Sequence, residues 1–126
     1  MSKEEFDRLA EGLLFMSETD APLDYYELSL EKSEGWPPST GGQFLQLIGE
    51  NPASPVEKLA PEKFFRDLRP GNEDREDQVA ALQIAMTGEL RNLEGFRVGE
   101  IQINIFVLGT DGSGKVAGLR TLSVET

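Results

Sequence analysis

The stretch from Phe96 to Thr126, FRVGEIQINIFVLGTDGSGKVAGLRTLSVET, decides the fold. In its first half, apolar side chains recur at every second position, namely Ile101, Ile103, Ile105 and Val107. A repeat of two residues places these side chains on one face of a β-strand. Phe106 and Leu108 add apolar groups on the opposite face, so we expect the end of the strand to be covered on both sides.

A tight turn and a second strand follow. Gly109-Thr110-Asp111-Gly112-Ser113-Gly114 consists of residues that tolerate positive φ or bond to their own backbone. Apolar residues then continue to Val124, which predicts a long hairpin, and a change of apolar parity near Arg120–Thr121 predicts a bulge. Only Glu125 and Thr126 follow, so we expect an α-carboxylate beside the last sheet residues.

Two further elements are predicted near the start of the chain. Ser2 and Glu5 form a capping box, and helical spacing of apolar residues predicts a first helix over Lys3–Phe15. The polar segment Ser17–Pro22 breaks this helix. Alternating side chains then predict a strand over Asp24–Glu31 with one face in water.

The sequence predicts short elements and one long helix in the middle of the chain. Lys32–Gly42 is a loop by composition, and its Trp36 is either an interface anchor or a cap on the core. The remaining predictions are a short helix after Ser39 or Thr40, a strand at Val56–Leu59, a helix starting at Pro61 and carrying Leu68, and a long helix from Asn72 or Asp74 to about Leu93 that Gly95 ends.

This order predicts a single α+β domain over residues 1–126. Consecutive hairpin strands are antiparallel, and helices on both faces of such a sheet give an α/β/α sandwich around a mainly antiparallel sheet. A chain of 126 residues is the usual size of one domain.

Composition and charge exclude several classes of protein. The chain has 12 basic and 23 acidic residues, a net charge of −11, whereas a nucleic-acid-binding domain needs a basic surface. It contains no cysteine and no histidine, which removes thiolate metal sites and the commonest general base. No apolar run is long enough to cross a membrane, and the N-terminus lacks the order of a signal peptide. We expect a soluble protein, in which the net charge of −11 serves either to maintain solubility or to face a basic partner.

Two apparent motifs do not indicate catalysis. Gly109–Lys115 has the glycine and lysine spacing of a phosphate-binding loop, but Val116 lacks the hydroxyl that would hold Mg²⁺. The segment after it predicts a strand rather than the helix N-terminus that such a loop requires. The acidic cluster Glu73–Asp77 fits the solvated first turn of a helix. The residues alone therefore favour a binding module over an enzyme.

The string GLLFMSE at Gly12–Glu18, together with the terminal block from Phe96, resembles the cyanobacterial nuclease A inhibitor family. The resemblance implies a fold similar to the PR-1 sandwich and an intracellular, cytoplasmic protein that is a monomer alone. It also implies a 1:1 complex with a Mg²⁺-dependent, sugar-non-specific DNA and RNA endonuclease. The inhibitor would have no cofactor of its own, contact no nucleic acid or membrane, and meet only the metal held by the nuclease.

The resemblance also implies which residues enter the nuclease active site. By position these are Glu18 and the last residue, Thr126, with Ser17, Thr19 and Glu125 as further contacts. Their oxygen atoms are the hard ligands that Mg²⁺ prefers. A tryptophan that the family places before the long helix has no counterpart near residues 69–75, and Trp36 is not assumed to replace it. The alternative is an acidic protein-interaction module of the same fold that no longer inhibits a nuclease.

Overall fold

The computed structural model describes all residues, Met1–Thr126, and is built around a five-stranded antiparallel sheet. The strand order is β3-β7-β6-β5-β4, so the C-terminal hairpin lies at the centre. The sheet strands are β3 (Asp24–Glu27), β4 (Val56–Leu59), β5 (Arg91–Val98), β6 (Gln102–Thr110) and β7 (Val116–Val124). A separate two-stranded sheet pairs β1 (Leu14–Met16) with β2 (Asp20–Pro22).

Helices cover both faces of the larger sheet, which confirms the predicted α+β sandwich. They are α1 (Lys3–Ala10), α2 (Leu30–Ser33), α3 (Gly41–Ile48), α4 (Pro61–Leu68) and α5 (Glu76–Glu89). One buried cluster joins Ile103, Ile105 and Val107 of β6 to side chains of α1, α4 and α5. A second cluster joins Phe106 and Leu108 to α3. The alternation along β6 thus sends successive side chains into two different cores.

The predicted hairpin is confirmed, but the predicted bulge near Arg120–Thr121 is wrong. Strands β6 and β7 pair without interruption from Gln102 opposite Val124 to Thr110 opposite Val116. The apolar parity changes because Thr121 and Ser123 are buried polar residues on the same face as Leu119. The sheet's register shift lies instead in β5, between Arg91 and Glu94.

Two N-terminal elements are shorter than predicted. Helix α1 ends at Ala10 rather than Phe15, because Gly12 takes a positive φ of 81° and the next residues pair as β1. Strand β3 ends at Glu27 rather than Glu31, because Ser29 caps α2 by accepting a hydrogen bond from the Lys32 N–H. The predicted N-cap Ser2 is confirmed, with the Glu5 N–H donating to its hydroxyl at 3.1 Å.

The predicted long helix is also too long at both ends. A 3₁₀ turn at Glu73–Arg75 precedes α5, and Arg91–Val98 is a strand, so Leu93 and Gly95 lie in β5. Gly95 is needed there because a side chain at this position would collide with the backbone carbonyl of Leu59 on β4. The predicted helices after Thr40 and from Pro61 to Leu68, and the strand at Val56–Leu59, are confirmed. None of the helices combines the length and apolar character that a membrane span requires.

Candidate functional site

The turn between β1 and β2 is fastened to the end of β7 by Ser17. The Ser17 hydroxyl accepts from the Val124 N–H at 3.0 Å and donates to the Thr19 carbonyl at 2.9 Å. The Glu18 N–H donates to the Val124 carbonyl at 3.2 Å. These bonds extend the pairing of β7 onto the turn, so the backbone on either side of Glu18 is held in place.

Glu18 and Thr126 meet directly, although 108 residues separate them in sequence. The Thr126 N–H donates to Glu18 Oε2 at 2.8 Å, and the Thr126 hydroxyl lies 2.8 Å from both carboxylate oxygens. The hydroxyl proton can satisfy only one of these oxygens at a time, and its oxygen keeps lone pairs directed elsewhere. Both residues are exposed. We call this pair of side chains the tip.

The negative charge of the tip has no cationic partner within the chain. No lysine, arginine or N-terminal amine lies within 4.0 Å of Glu18. Its carboxylate is held only by hydrogen bonds from Thr126. An exposed acid that is ordered but not neutralised is suited to bind a cationic group on another molecule.

Glu125 has a different environment, because its carboxylate is occupied within the chain. Arg97 Nη2 donates to its two oxygens at 2.7 and 2.9 Å, and the Ser123 hydroxyl donates at 2.7 Å. The hydrogen bonds from Arg97, followed by the one from Ser123, lower the pKa of Glu125 from its ordinary value. This carboxylate therefore stays ionised to lower pH than a free glutamate.

An open groove of about 940 Å³ runs beside the tip, between the β1–β2 turn and the segment β4–α4. Its charged walls are largely balanced, since Lys63 pairs with Asp67 at 2.7 Å and Lys58 lies 3.6 Å from Glu94. The tip is thus the part of this surface at which acid remains unpaired.

A family model described as "Nuclease A inhibitor-like protein" matches residues 2–126, nearly the whole chain. The chain belongs to this family. A search of curated proteins found no match. Membership of the nuclease A inhibitor-like family indicates a nuclease inhibitor role rather than an enzymatic one, and a nuclease as the partner.

Of the residues predicted to contact the nuclease, the structure brings Glu18 and Thr126 together at the tip. Ser17 lies beneath Glu18, where its side chain holds the turn. Thr19 is exposed beside them. Glu125 points toward Arg97 rather than outward with the tip. All five remain predicted contacts of an inhibitor.

Sequence reasoning missed Arg97 and Ser123. Arg97 alternates with Phe96 and Val98, both buried in the second core, so a strand in this segment sends Arg97 to the opposite face. Helical spacing that continues to Leu93 obscures this alternation, because it places the start of the strand at Phe96. The role of Ser123 depends on the register of β7 and has no separate signal in the sequence.

Two features that sequence analysis singled out have structural roles in this inhibitor-like protein. The Trp36 indole N–H donates to the Asn92 carbonyl at 2.8 Å, and its ring packs against Phe44 and Phe96, which fits a cap on the second core. In the hairpin turn, Asp111 accepts from the N–H groups of Ser113 and Lys115 at 2.8 and 3.1 Å. The chain contains no group of three acidic, histidine or cysteine side chains placed to bind a metal.

Proposed function

We propose that this protein inhibits a Mg²⁺-dependent, sugar-non-specific DNA and RNA endonuclease by inserting the tip into its active site. The observation that carries the proposal is the direct contact between Glu18 and Thr126, two exposed residues from distant parts of the chain. Contact within a rigid unit lowers the entropy lost on binding, because neither side chain has to be ordered by the partner.

The chemistry of the tip fits a metal centre that belongs to the partner. Mg²⁺ takes oxygen ligands and keeps several waters, so it can be engaged directly or through its water molecules. The Glu18 carboxylate accepts hydrogen bonds from such waters, and the Thr126 hydroxyl offers an oxygen whose proton is already committed to Glu18. The tip thus presents acceptors where a phosphate of the substrate would otherwise lie.

The net charge supports fast association. A nuclease cleft that binds a polyanion is basic, and a chain with a net charge of −11 is attracted to it. Association is therefore expected to slow as salt is raised beyond about 0.1 M, where screening acts over roughly 10 Å.

The test is a titration of a Mg²⁺-dependent non-specific nuclease with the purified protein, using both DNA and RNA substrates. We expect activity to fall linearly to an end point at one inhibitor per nuclease. Glu18→Gln should raise the inhibition constant about 10- to 100-fold, the range expected for losing a charged hydrogen-bonding group. Glu34→Gln removes the same charge from an exposed acid in the α2 C-cap and should behave like the parent.

A second candidate is an acidic module of this fold that binds a basic protein without inhibiting a nuclease. It is favoured by the missing tryptophan before α5, where the 3₁₀ turn Glu73–Arg75 contains none. The titration separates the two, because a module of this kind leaves nuclease activity unchanged at every protein concentration. If Glu18→Gln and Glu34→Gln inhibit equally well, the tip mechanism is refuted even though inhibition is real.

A further inference from the structure

The last two residues of the sequence extend beyond the sheet and yet are tied to it. Strand β7 ends at Val124, and residues after a final strand are usually frayed unless something holds them. Here the Glu125 N–H donates to the Ile101 carbonyl at 2.9 Å, which continues the pairing by one step. The Glu125 carboxylate is in addition held by Arg97 and Ser123.

The Arg97 side chain is itself held in place by its neighbours in the sheet. It lies in β5, with Glu57 of β4 opposite it on one side and Ile105 of β6 on the other. Its Nε–H donates to Glu57 at 3.0 Å while Nη2 donates to Glu125, and its side chain is only 21% exposed. A guanidinium whose Nε and Nη2 donate to two different carboxylates has little freedom to turn, so it transmits the position of the sheet to Glu125.

Two separate contacts therefore hold Thr126 in position. Glu18 contacts it from the β1–β2 turn, and Glu125, its neighbour in sequence, is anchored to β5 through Arg97. Without Arg97, the Glu125 N–H bond to Ile101 and the contact with Glu18 remain, but the Glu125 side chain is no longer fixed to β5. Because Arg97 already neutralises Glu125 whereas Glu18 has no cationic partner, the Glu125 carboxylate is less suited than that of Glu18 to contact a cationic site on the partner.

We propose that Arg97 is a positioning residue for inhibition, which holds Glu125 and through it sets the position of Thr126 in the tip. The inference rests on the proposed function for its effect on inhibition, but not for its effect on the order of Thr126. It changes the role expected of Glu125 from a contact residue to part of this support.

The first measurement needs no nuclease. In the free protein, the ¹⁵N order parameter of the Thr126 amide should be about 0.8 for the parent and fall below about 0.6 in Arg97→Ala. Lys58→Ala removes one positive charge from the wall of the same groove, where Lys58 lies near Glu94 and not Glu125, and should leave the Thr126 amide ordered. An unchanged Thr126 order parameter in a folded Arg97→Ala protein would overturn the proposal.

The second measurement is a double-mutant cycle that combines Arg97→Ala with deletion of Thr126 and follows the dissociation rate of the nuclease complex. We expect Arg97→Ala to raise the dissociation rate of the nuclease complex about tenfold, and Arg97→Lys to recover only part of this loss because lysine lacks the planar fork. When Thr126 is already deleted, Arg97→Ala should have almost no further effect. An equal loss in both backgrounds would mean that Arg97 acts independently of Thr126, and would overturn the proposal.

Glu125→Gln is a control in case Arg97→Ala disturbs folding. It weakens the bond between Arg97 and Glu125 but leaves the guanidinium bonded to Glu57. It should lower the Thr126 order parameter in the same direction as Arg97→Ala; no change would contradict the proposal. If the parent protein inhibits no nuclease, the proposed function fails, while the order parameters still decide whether Arg97 positions Thr126.

Discussion

Asn72 is the polar side chain whose removal should cost the most stability. It is 2% exposed, and its amide donates to the Leu14 carbonyl at 2.8 Å and to the Leu68 carbonyl at 2.6 Å. Its side-chain oxygen accepts from the Leu14 N–H at 3.3 Å. One side chain therefore joins the start of β1 to the end of α4, instead of capping the long helix as its position in sequence suggests.

The expected cost follows from these three bonds. Each hydrogen bond contributes about 0.5–1.5 kcal/mol net, and partners left unsatisfied in the interior add to the loss. Asn72→Ala should therefore lower the free energy of unfolding by about 3 kcal/mol. Because Leu14 begins the strand that leads to Glu18, the same change should also loosen the β1–β2 turn.

Urea unfolding followed by circular dichroism measures this loss, with the midpoint lowered and the slope unchanged. Asn51→Ala is the control, because the Asn51 side chain accepts only from the nearby Ala53 N–H at 2.9 Å in an exposed turn. It should cost less than about 1 kcal/mol. If the two alanine variants are equally stable, the assignment of Asn72 as a buried link is refuted.

Three further changes test other parts of the structure. Gly71→Ala should destabilise the fold by about 1–2 kcal/mol in urea, because the φ of Gly71 is 86° and an added Cβ would meet Met16, whereas Gly112→Ala in open space should be near neutral. Trp36→Phe should cost about 1–2 kcal/mol through the lost indole hydrogen bond yet leave nuclease inhibition intact; weakened inhibition would instead make Trp36 part of the interface. Because folding lowers the pKa of Glu125, its ionised carboxylate stabilises the fold above the ordinary pKa of 4.5. This stabilisation is lost as the pH falls through the lower pKa of the folded state. Glu125→Gln should therefore make the free energy of unfolding less dependent on pH below about pH 4.5.

Local sequence patterns predict the elements whose structure depends on neighbouring residues in the chain rather than on pairing with distant strands. Alternation predicts the β6–β7 hairpin, and capping residues place the start of α1 at Ser2 and that of α3 at Ser39 or Thr40, of which Thr40 is the observed N-cap. The end of α5 was missed because Leu90 and Leu93 continue the helical spacing of its buried stripe. Pairing with β4 and β6 decides that segment, and the sequence does not display that pairing.

The candidate site was only partly accessible to sequence reasoning. The resemblance named Glu18 and Thr126, but their contact depends on how the β1–β2 turn is placed against β7. The support through Arg97 depends on the register of three strand pairings at once, β4 with β5, β5 with β6 and β6 with β7. Pairing across the sheet, rather than residue type, brings these side chains together, so no local pattern could show it.

The strand order has a consequence for how the molecule is made. Strands β5, β6 and β7 are consecutive neighbours and can form early, because short loops close at little entropic cost. Strand β3 reaches its place only when Tyr26 comes opposite Gly118, and the contact of Glu18 with Thr126 spans a longer loop still. We therefore expect the tip to form late in folding, so a partly folded chain would lack the contact on which the proposed inhibition depends.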